Sequence, residues 1–422
     1  MTRVLFLAES FHPVLGGGET HIRQLAAALV AAGDAATVVT RRGDAAWPAQ
    51  DAVDGVRIVR VPPPGPGRTG KYLMVPAAWR AARREASRHD VLVVRGTRVL
   101  GLPGLLAARQ AGCPVVMQPE INGELDGEAF TWGQPWAEGV AGRLARFALR
   151  LRNPWLRDAD ALVAMSARIA DEARACGVAA ERVALIRHGV DTVRFRPAAD
   201  GEVAALRGAL GLPAGTLAVY TGRLLRGKGL EDLLGALAAV ADELPALHLV
   251  LVGSGAGQAL SVEAELRARA AAPPLAGRVT FAGRSERVED WLRAADLFVF
   301  PSLYEALGIS LVEAQACGLP AVACRTGGIV DVVEHGRSGW LVEPGDAREL
   351  AAALRRLATD AGERREMGKQ SRAVAVARFD ARDSFSRYRA LFAGLSPRPA
   401  ASRPGRAPRG GEGPPPSPGA RA

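Results

Sequence analysis

Two basic residues, Arg223 and Lys228, each stand beside a glycine, in Gly222-Arg223 and Lys228-Gly229. A guanidinium and an ammonium at the opening of a helix can neutralise a diphosphate by Coulomb attraction and charge-assisted hydrogen bonds. Further on, Glu305 and Glu313 bracket Ala306-Leu307-Gly308-Ile309. Here a loop carboxylate, the unpaired N–H groups of a helix start and a carboxylate one to two turns into that helix gather near one spot, which can hold hydroxyls and a phosphate together. Near the beginning, Gly16-Gly17-Gly18-Glu19 directly precedes an apolar-periodic helix with Ile22, Leu25, Ala26 and Leu29. Glycines let the backbone approach a ligand, and the helix start again offers N–H groups to a phosphate. Each signal has an ordinary counterpart: a tight turn, solvated loop cations, and helix-dipole partners.

These residues need a scaffold that brings distant loops together. Short Val/Leu/Ile runs alternate with Ala-rich helical stretches, the pattern of a parallel sheet covered on both faces. A first series of strand candidates lies at residues 4–8, 36–40, 56–61, 91–94, 115–118, 161–165 and 183–186, and a second at 217–221, 247–252, 278–282, 297–300 and 321–324. Between them, His188-Gly189-Val190-Asp191 and Arg194-Phe195-Arg196-Pro197 read as a linker. The expected fold is therefore α/β, two doubly wound domains with a cleft between them, although no sequence repeat relates the halves. Ligands of such sheets sit beyond the carboxyl ends of the strands, so the loops there are the ones to inspect.

Gly16 to Glu19 with His21, His188 to Asp191, Gly222-Arg223 with Lys228-Gly229, Glu305 and Glu313, Gly327-Gly328, and Gly339-Trp-Leu-Val-Glu-Pro-Gly-Asp346 follow one another in this order. Over about residues 3–392 the chain closely resembles the retaining glycosyltransferases of the GT-B fold called "glycosyl transferases group one", family four of the sequence classification. The resemblance implies two Rossmann-like domains facing one another across a cleft. Residues 1–187 would bind the acceptor, 188–380 a nucleotide diphosphate sugar, and a helix at 381–395 would cross back to the first domain. By the same resemblance Arg223 and Lys228 bind the donor diphosphate and stabilise the leaving group. Glu313 hydrogen-bonds the ribose, Glu305 lies near the donor sugar, and backbone N–H groups of Ala306, Leu307, Gly308 and Ile309 contact sugar and phosphate. Gly17 and Gly18 would close over the phosphate from the other domain, while Gly222, Gly253 and Gly283-Arg284 border the nucleotide. The implied reaction moves the sugar to an acceptor hydroxyl with retention, in cell-surface glycan, glycolipid or polysaccharide synthesis. The departing diphosphate takes the acceptor proton, so no protein nucleophile and no metal is called for.

The sequence departs from the family at His188, where Asn is usual, and at Asp331, where Glu is commoner. In Gln118-Pro119-Glu120-Ile121-Asn122 many members carry a histidine beside the donor sugar, and Gln118, Glu120 and Asn122 all compete for that place. Glu120, Asn122 and His188 are assigned to the acceptor side. Three rival readings stand beside transfer: a sugar-nucleotide epimerase of the same fold, a non-catalytic nucleotide-sugar-binding protein, and a membrane-docked assembly protein resting on the basic helices.

Composition narrows the remaining classes. A 422-residue chain that is 48% hydrophobic and 23% charged can bury sizeable cores. Of the net +10, part belongs to residues 396–422, which carry five arginines against Glu412 alone and read as a disordered Pro/Gly-rich tail. No uninterrupted apolar run reaches membrane-spanning length, and the opening apolar run stops at Glu9 without signal-peptide flanks. Four scattered cysteines, Cys113, Cys176, Cys317 and Cys324, suit reduced thiols, so a cytoplasmic location is expected. Gly253-Ser-Gly-Ala-Gly257 mimics a dinucleotide fingerprint but places its third glycine one residue early, with no acidic residue ending the next strand. Asp158-Ala-Asp160 mimics a metal-binding pair but precedes a buried strand, where a turn is the better reading. Basic, partly apolar segments at 71–88 and 143–157 read as helices packed on their own sheet with charged faces in solvent; peripheral contact with an anionic membrane at its inner face is the alternative. Nucleic acid is set aside, since aromatics are 5% and no recognised module occurs.

Overall fold

The computed structural model describes residues 1–14, 16–65, 69–128, 139–258 and 260–395. The tail expected to be disordered, 396–422, lies outside the described residues. The first sheet has the order β3-β4-β2-β1-β5-β6-β7-β8. Its strands are β1 (Arg3–Leu7), β2 (Ala35–Arg41), β3 (Gln50–Val53), β4 (Val56–Val61), β5 (Val91–Arg95), β6 (Val115–Gln118), β7 (Ala161–Ala164) and β8 (Val183–Leu185). The second sheet runs β11-β10-β9-β12-β13-β14. It consists of β9 (Thr216–Thr221), β10 (Leu247–Val252), β11 (Val279–Gly283), β12 (Leu297–Phe300), β13 (Ala321–Cys324) and β14 (Gly339–Val342). Helices cover both faces. Alternate residues of β1 serve opposite sides, Leu5 and Leu7 entering one apolar core and Val4 and Phe6 another, as a period of two demands.

Two strands depart from the expected set. β3 pairs antiparallel with β4 at the sheet edge, the first sheet thus being parallel except there. Its Gln-Asp-Ala-Val sequence has no apolar run to announce it, but Asp54 (φ 52°) and Gly55 (φ 76°) form the two-residue hairpin connection whose positive dihedrals match strand twist. β14 completes the second sheet beside β13. It begins at Gly339, where a Cβ would strike the Ala321 backbone.

The helix Ala361–Phe379 packs Met367, Val374, Ala375 and Phe379 into the second domain. The chain then turns at Asp380, where Val190 donates to the Phe379 carbonyl and accepts from the Ala381 N–H, and the helix Ala381–Gly394 returns to the first domain. Tyr388 and Phe392 join Phe6, Ile22 and Leu25 there, and Arg389 pairs with Asp34 at 2.8 Å.

The two basic segments behave differently. In the helix Val75–Ala86, Ala78, Ala81, Ala82 and Ala86 are buried. The helix Val140–Leu156 contradicts the packed-helix expectation: it touches the domain near its C-terminal end, while Leu144, Phe147, Leu151 and Trp155 face solvent. Among the described residues no helix is long and apolar enough to cross a membrane.

Candidate active site

In the second sheet β9 has β10 on one side and β12 on the other, so the strand order reverses there and a crevice opens at their carboxyl ends. The chain leaves β9 into Gly222-Arg223 and leaves β12 into the loop carrying Glu305. Glycine is required on both flanks. Gly222 (φ 152°) and Gly253 (φ 146°) hold dihedrals that L side chains avoid, and a Cβ on Gly253 would collide with the Gly222 carbonyl. Gly229 presses on the Pro301 carbonyl, Gly327 on that of Glu305 and Gly328 on that of Ala306. Three loops are thereby interlocked backbone against backbone.

The side chains presented by those loops come together in part as expected. Lys228 Nζ lies 2.6 Å from Glu305 Oε2, the two side chains being 22% and 19% exposed. Arg223 is exposed and makes no ion pair among the described residues, while its carbonyl accepts from the Tyr220 hydroxyl at 3.1 Å. Arg284 is likewise exposed, and the Gly283 carbonyl accepts from the Gly253 N–H at 2.7 Å. The helix Ile309–Ala316 starts after Gly308 (φ 89°), and the amides of Ala306, Leu307, Gly308 and Ile309 donate to no acceptor among the described residues. Free amides at a helix N-terminus, with a lysine close by and an unpaired guanidinium in the loop that leaves β9, can together hold an anion. Glu313, on that helix, is partly buried, and burial pushes its carboxyl up to about 7 against the opposing pull of Arg194, with Glu289 adding to the rise.

The signals set aside from the sequence are occupied by neighbours. Glu263 accepts from Ser254 Oγ and the Gly255 N–H, both at 2.8 Å, closing the glycine turn on itself. Asp158 pairs with Arg109, and Asp160 accepts from the Val115 N–H at 2.9 Å.

Across the cleft, the helix Gly17–Ala31 begins at the glycine run, and a Cβ on Gly17 would stand 3.2 Å from Ile309 Cδ1. The two domains therefore touch at Gly17. Beneath them lies Arg95, the last residue of β5: it donates to the Gly18 carbonyl at 3.1 Å and pairs with Glu120 at 3.1 Å. Glu9, after β1, has its carboxyl raised by burial, with Lys71 and Arg98 pulling it down and Glu120 pushing it up. The buried Glu124 carboxylate accepts the N–H groups of Thr97 (2.7 Å), Glu120 (3.0 Å) and Ile121 (3.3 Å), shaping the loop after β6. From that loop Asn122 Nδ2 reaches across to the Glu305 carbonyl at 2.9 Å, and Tyr304 donates to the Asn122 carbonyl. Of the three competing residues, Asn122 spans to the donor loop, Glu120 faces Gly18, and Gln118 turns away to the Tyr388 hydroxyl at 2.8 Å. His188 is buried, its ring stacked on His21 with centroids 3.6 Å apart, and burial with Arg95 nearby keeps both rings neutral. Asp331 serves as an interdomain clasp, accepting from the Ala167 N–H at 2.6 Å.

Arg95, Glu9 and Glu124 were not among the sequence candidates. Arg95 had a readable signal, a charged residue closing an otherwise apolar strand at its carboxyl end. Glu9 and Glu124 acquire their meaning only from what surrounds them.

Two family models match the chain, "Glycosyltransferase Family 4" over residues 15–194 and "Glycosyl transferases group 1" over residues 215–360. A protein of Nocardiopsis dassonvillei named D-inositol 3-phosphate glycosyltransferase is 31% identical over 362 residues, 81% of each chain. Other matched relatives are longer than the shared region: the chain spans 58% and 48% of the proteins of that name from Streptomyces avermitilis and Streptomyces bingchenggensis, about half their length. Among solved structures, a sucrose-phosphate synthase from Thermosynechococcus elongatus superposes with a TM-score of 0.80 at 26% identity, covering 94% of this chain and 100% of that one. The Anabaena HepE protein, solved in complex with UDP-glucose, shares the fold at 22% identity and a TM-score of 0.74, covering 94% and 100%. With one model on each sheet and a relative matched over four fifths of its length, the chain belongs to glycosyltransferase family four, the glycosyl transferases group 1, and has the two-sheet GT-B architecture.

Proposed function

We propose that the protein is a retaining glycosyltransferase that moves a sugar from a nucleotide diphosphate sugar to an acceptor hydroxyl. The observation that supports this reading is the Lys228–Glu305 pair next to the unpaired amides of residues 306–309 at the β9/β12 switch point, with Arg223 in the loop that leaves β9 and Gly17 of the first domain against Ile309. As the bond between sugar and diphosphate breaks, negative charge grows on the leaving oxygens. Donors already aimed there stabilise that charge more than they stabilise the ground state, which is what lowers a barrier. The departing diphosphate accepts the proton of the acceptor hydroxyl on the same face, so the side chains bind and neutralise rather than attack. Arg223, Lys228 and the amides supply the positive charge this requires without a metal. Gly253, Gly283 and Arg284 edge the nucleotide, and Glu313 accepts from the ribose hydroxyls.

The acceptor binds the first domain. The names of the relatives make a phosphorylated inositol the first compound to try, and the cationic pull of Lys71 and Arg98 beside Glu9 supports an anionic acceptor; lipid-linked glycans come next. Four free thiols suit the cytoplasm as the site of action.

The test is a thermal-shift panel of UDP, GDP and ADP sugars, followed by product analysis with the stabilising donor. Stabilisation by one donor, and a product retaining its anomeric configuration in the presence of chelator, is the expected result. A converted donor without acceptor would mark an epimerase, and stabilisation without turnover on any acceptor would mark a binding protein.

A further inference from the structure

The helix Val140–Leu156 is built inside out. Near its C-terminal end two polar side chains face the domain: Arg152 donates to the Glu124 carbonyl at 2.7 Å and the Thr97 carbonyl at 3.4 Å, and Asn153 donates to the Leu125 carbonyl. Five apolar side chains do the reverse. Val140, Leu144, Phe147, Leu151 and Trp155 recur every three or four residues on one face and are 62%, 63%, 60%, 60% and 51% exposed. Scattered surface leucines need no explanation, but an aligned stripe ending in a tryptophan does.

The charge on the same helix says what could cover that stripe. Arg143, Arg146, Arg150 and Arg152 lie within it, Arg157 follows, and it contains no Asp or Glu. A second copy packed symmetrically would set these arginines against their own kind. An anionic bilayer offers both an apolar layer and opposite charge, the pairing that holds basic amphipathic helices in a membrane interface.

We propose that the Val140–Leu156 helix docks on an anionic lipid bilayer, its apolar stripe among the acyl chains and the exposed Arg143 at the headgroups. The consequence reaches the cleft: Arg152 ties the helix to the loop that Glu124 shapes and from which Glu120 and Asn122 project, so docking holds the acceptor side at the lipid surface. The proposal stands independently of the donor chemistry.

Sedimentation of the full chain with phosphatidylcholine vesicles, with and without phosphatidylglycerol, at low and high salt tests it. Binding is expected to need phosphatidylglycerol and to weaken with salt. Phe147→Asp with Leu151→Asp is expected to reduce it by at least about tenfold, and Arg143→Glu by about fivefold at low salt. Because these residues are exposed, thermal unfolding and nucleotide affinity should stay at wild-type values. The proposal fails if the protein ignores anionic vesicles, or if the double variant binds them as well as the parent, which would assign attachment to another basic region. It also fails if sedimentation equilibrium shows a dimer that the double variant dissociates while vesicles are not bound.

Discussion

A methyl group added at Gly229, Gly253 or Gly327 would collide with the backbone carbonyl of Pro301, Gly222 or Glu305, whereas one added at Gly17 or Gly18 would meet the Ile309 side chain at 3.2 Å or the Arg95 guanidinium at 3.1 Å. The second-domain wall of the cleft is therefore held by main chain against main chain, with little freedom to rearrange. On the first-domain wall side chains set the shape, Arg95 with Glu120 and Glu124 with the surrounding amides, and side chains can shift or be replaced. Such a division suits a molecule that presents a fixed diphosphate cradle to one substrate and an adaptable wall to the other.

The largest effect expected from breaking this contrast is chemical. Arg223→Ala should lower turnover by about 10² to 10³, roughly 3–4 kcal/mol, with thermal unfolding unchanged because the side chain is exposed and makes no ion pair among the described residues. Lys228→Ala should lose as much and also leave Glu305 without its partner. Parental rates in both variants would remove the diphosphate from this end of the cleft. Next comes stability: Gly253→Ala should cost about 3 kcal/mol in denaturant unfolding, since a left-handed dihedral and a backbone collision must both be relieved.

A smaller loss, about 1 kcal/mol or five- to tenfold in affinity, is expected for nucleoside diphosphate binding to Glu313→Gln, read by calorimetry. Here pH sharpens the test. A carboxyl raised to about 7 from 4.5 is held protonated by the folded state more than by the unfolded one, so its contribution to stability falls as pH rises through that window. Ribose hydroxyls favour the ionised form, so affinity should rise from pH 6 to 8, and that part of the rise should vanish in the Gln variant. The smallest effect belongs to the first-domain glycine. Gly17→Ala should cost under about 1 kcal/mol, because the methyl it meets is the flexible end of Ile309 and alanine favours a helix start over glycine. A loss as large as that at Gly253 would dissolve the contrast between the halves.

The same contrast explains which features were legible. The strands β6, β10, β12 and β13 coincide with their apolar runs, because a strand buried on both faces must be apolar throughout. β3 did not announce itself, being polar, at an edge and defined by a hairpin partner. The Arg223, Lys228 and Glu305 loops were readable because glycine and charge beside a strand end leave a local mark. Arg95 marked only the end of its strand, its partner Gly18 lying 77 residues away, and Glu124 takes its meaning from burial and from Thr97, 27 residues away, which its own neighbours do not reveal.

From the chain alone came the alternation of strands and helices, the places where only glycine can turn, and the stock of charges available to a phosphate. These follow from dihedral limits and from burial, which act over a few neighbouring residues. Only the folded molecule decided that Lys228 rests on Glu305, 77 residues on, that Gly17 meets Ile309, and that the apolar side of the Val140 helix looks outward. Contacts of that kind depend on how finished elements stack and which charges they bring within a few ångströms, and no local pattern encodes that distance.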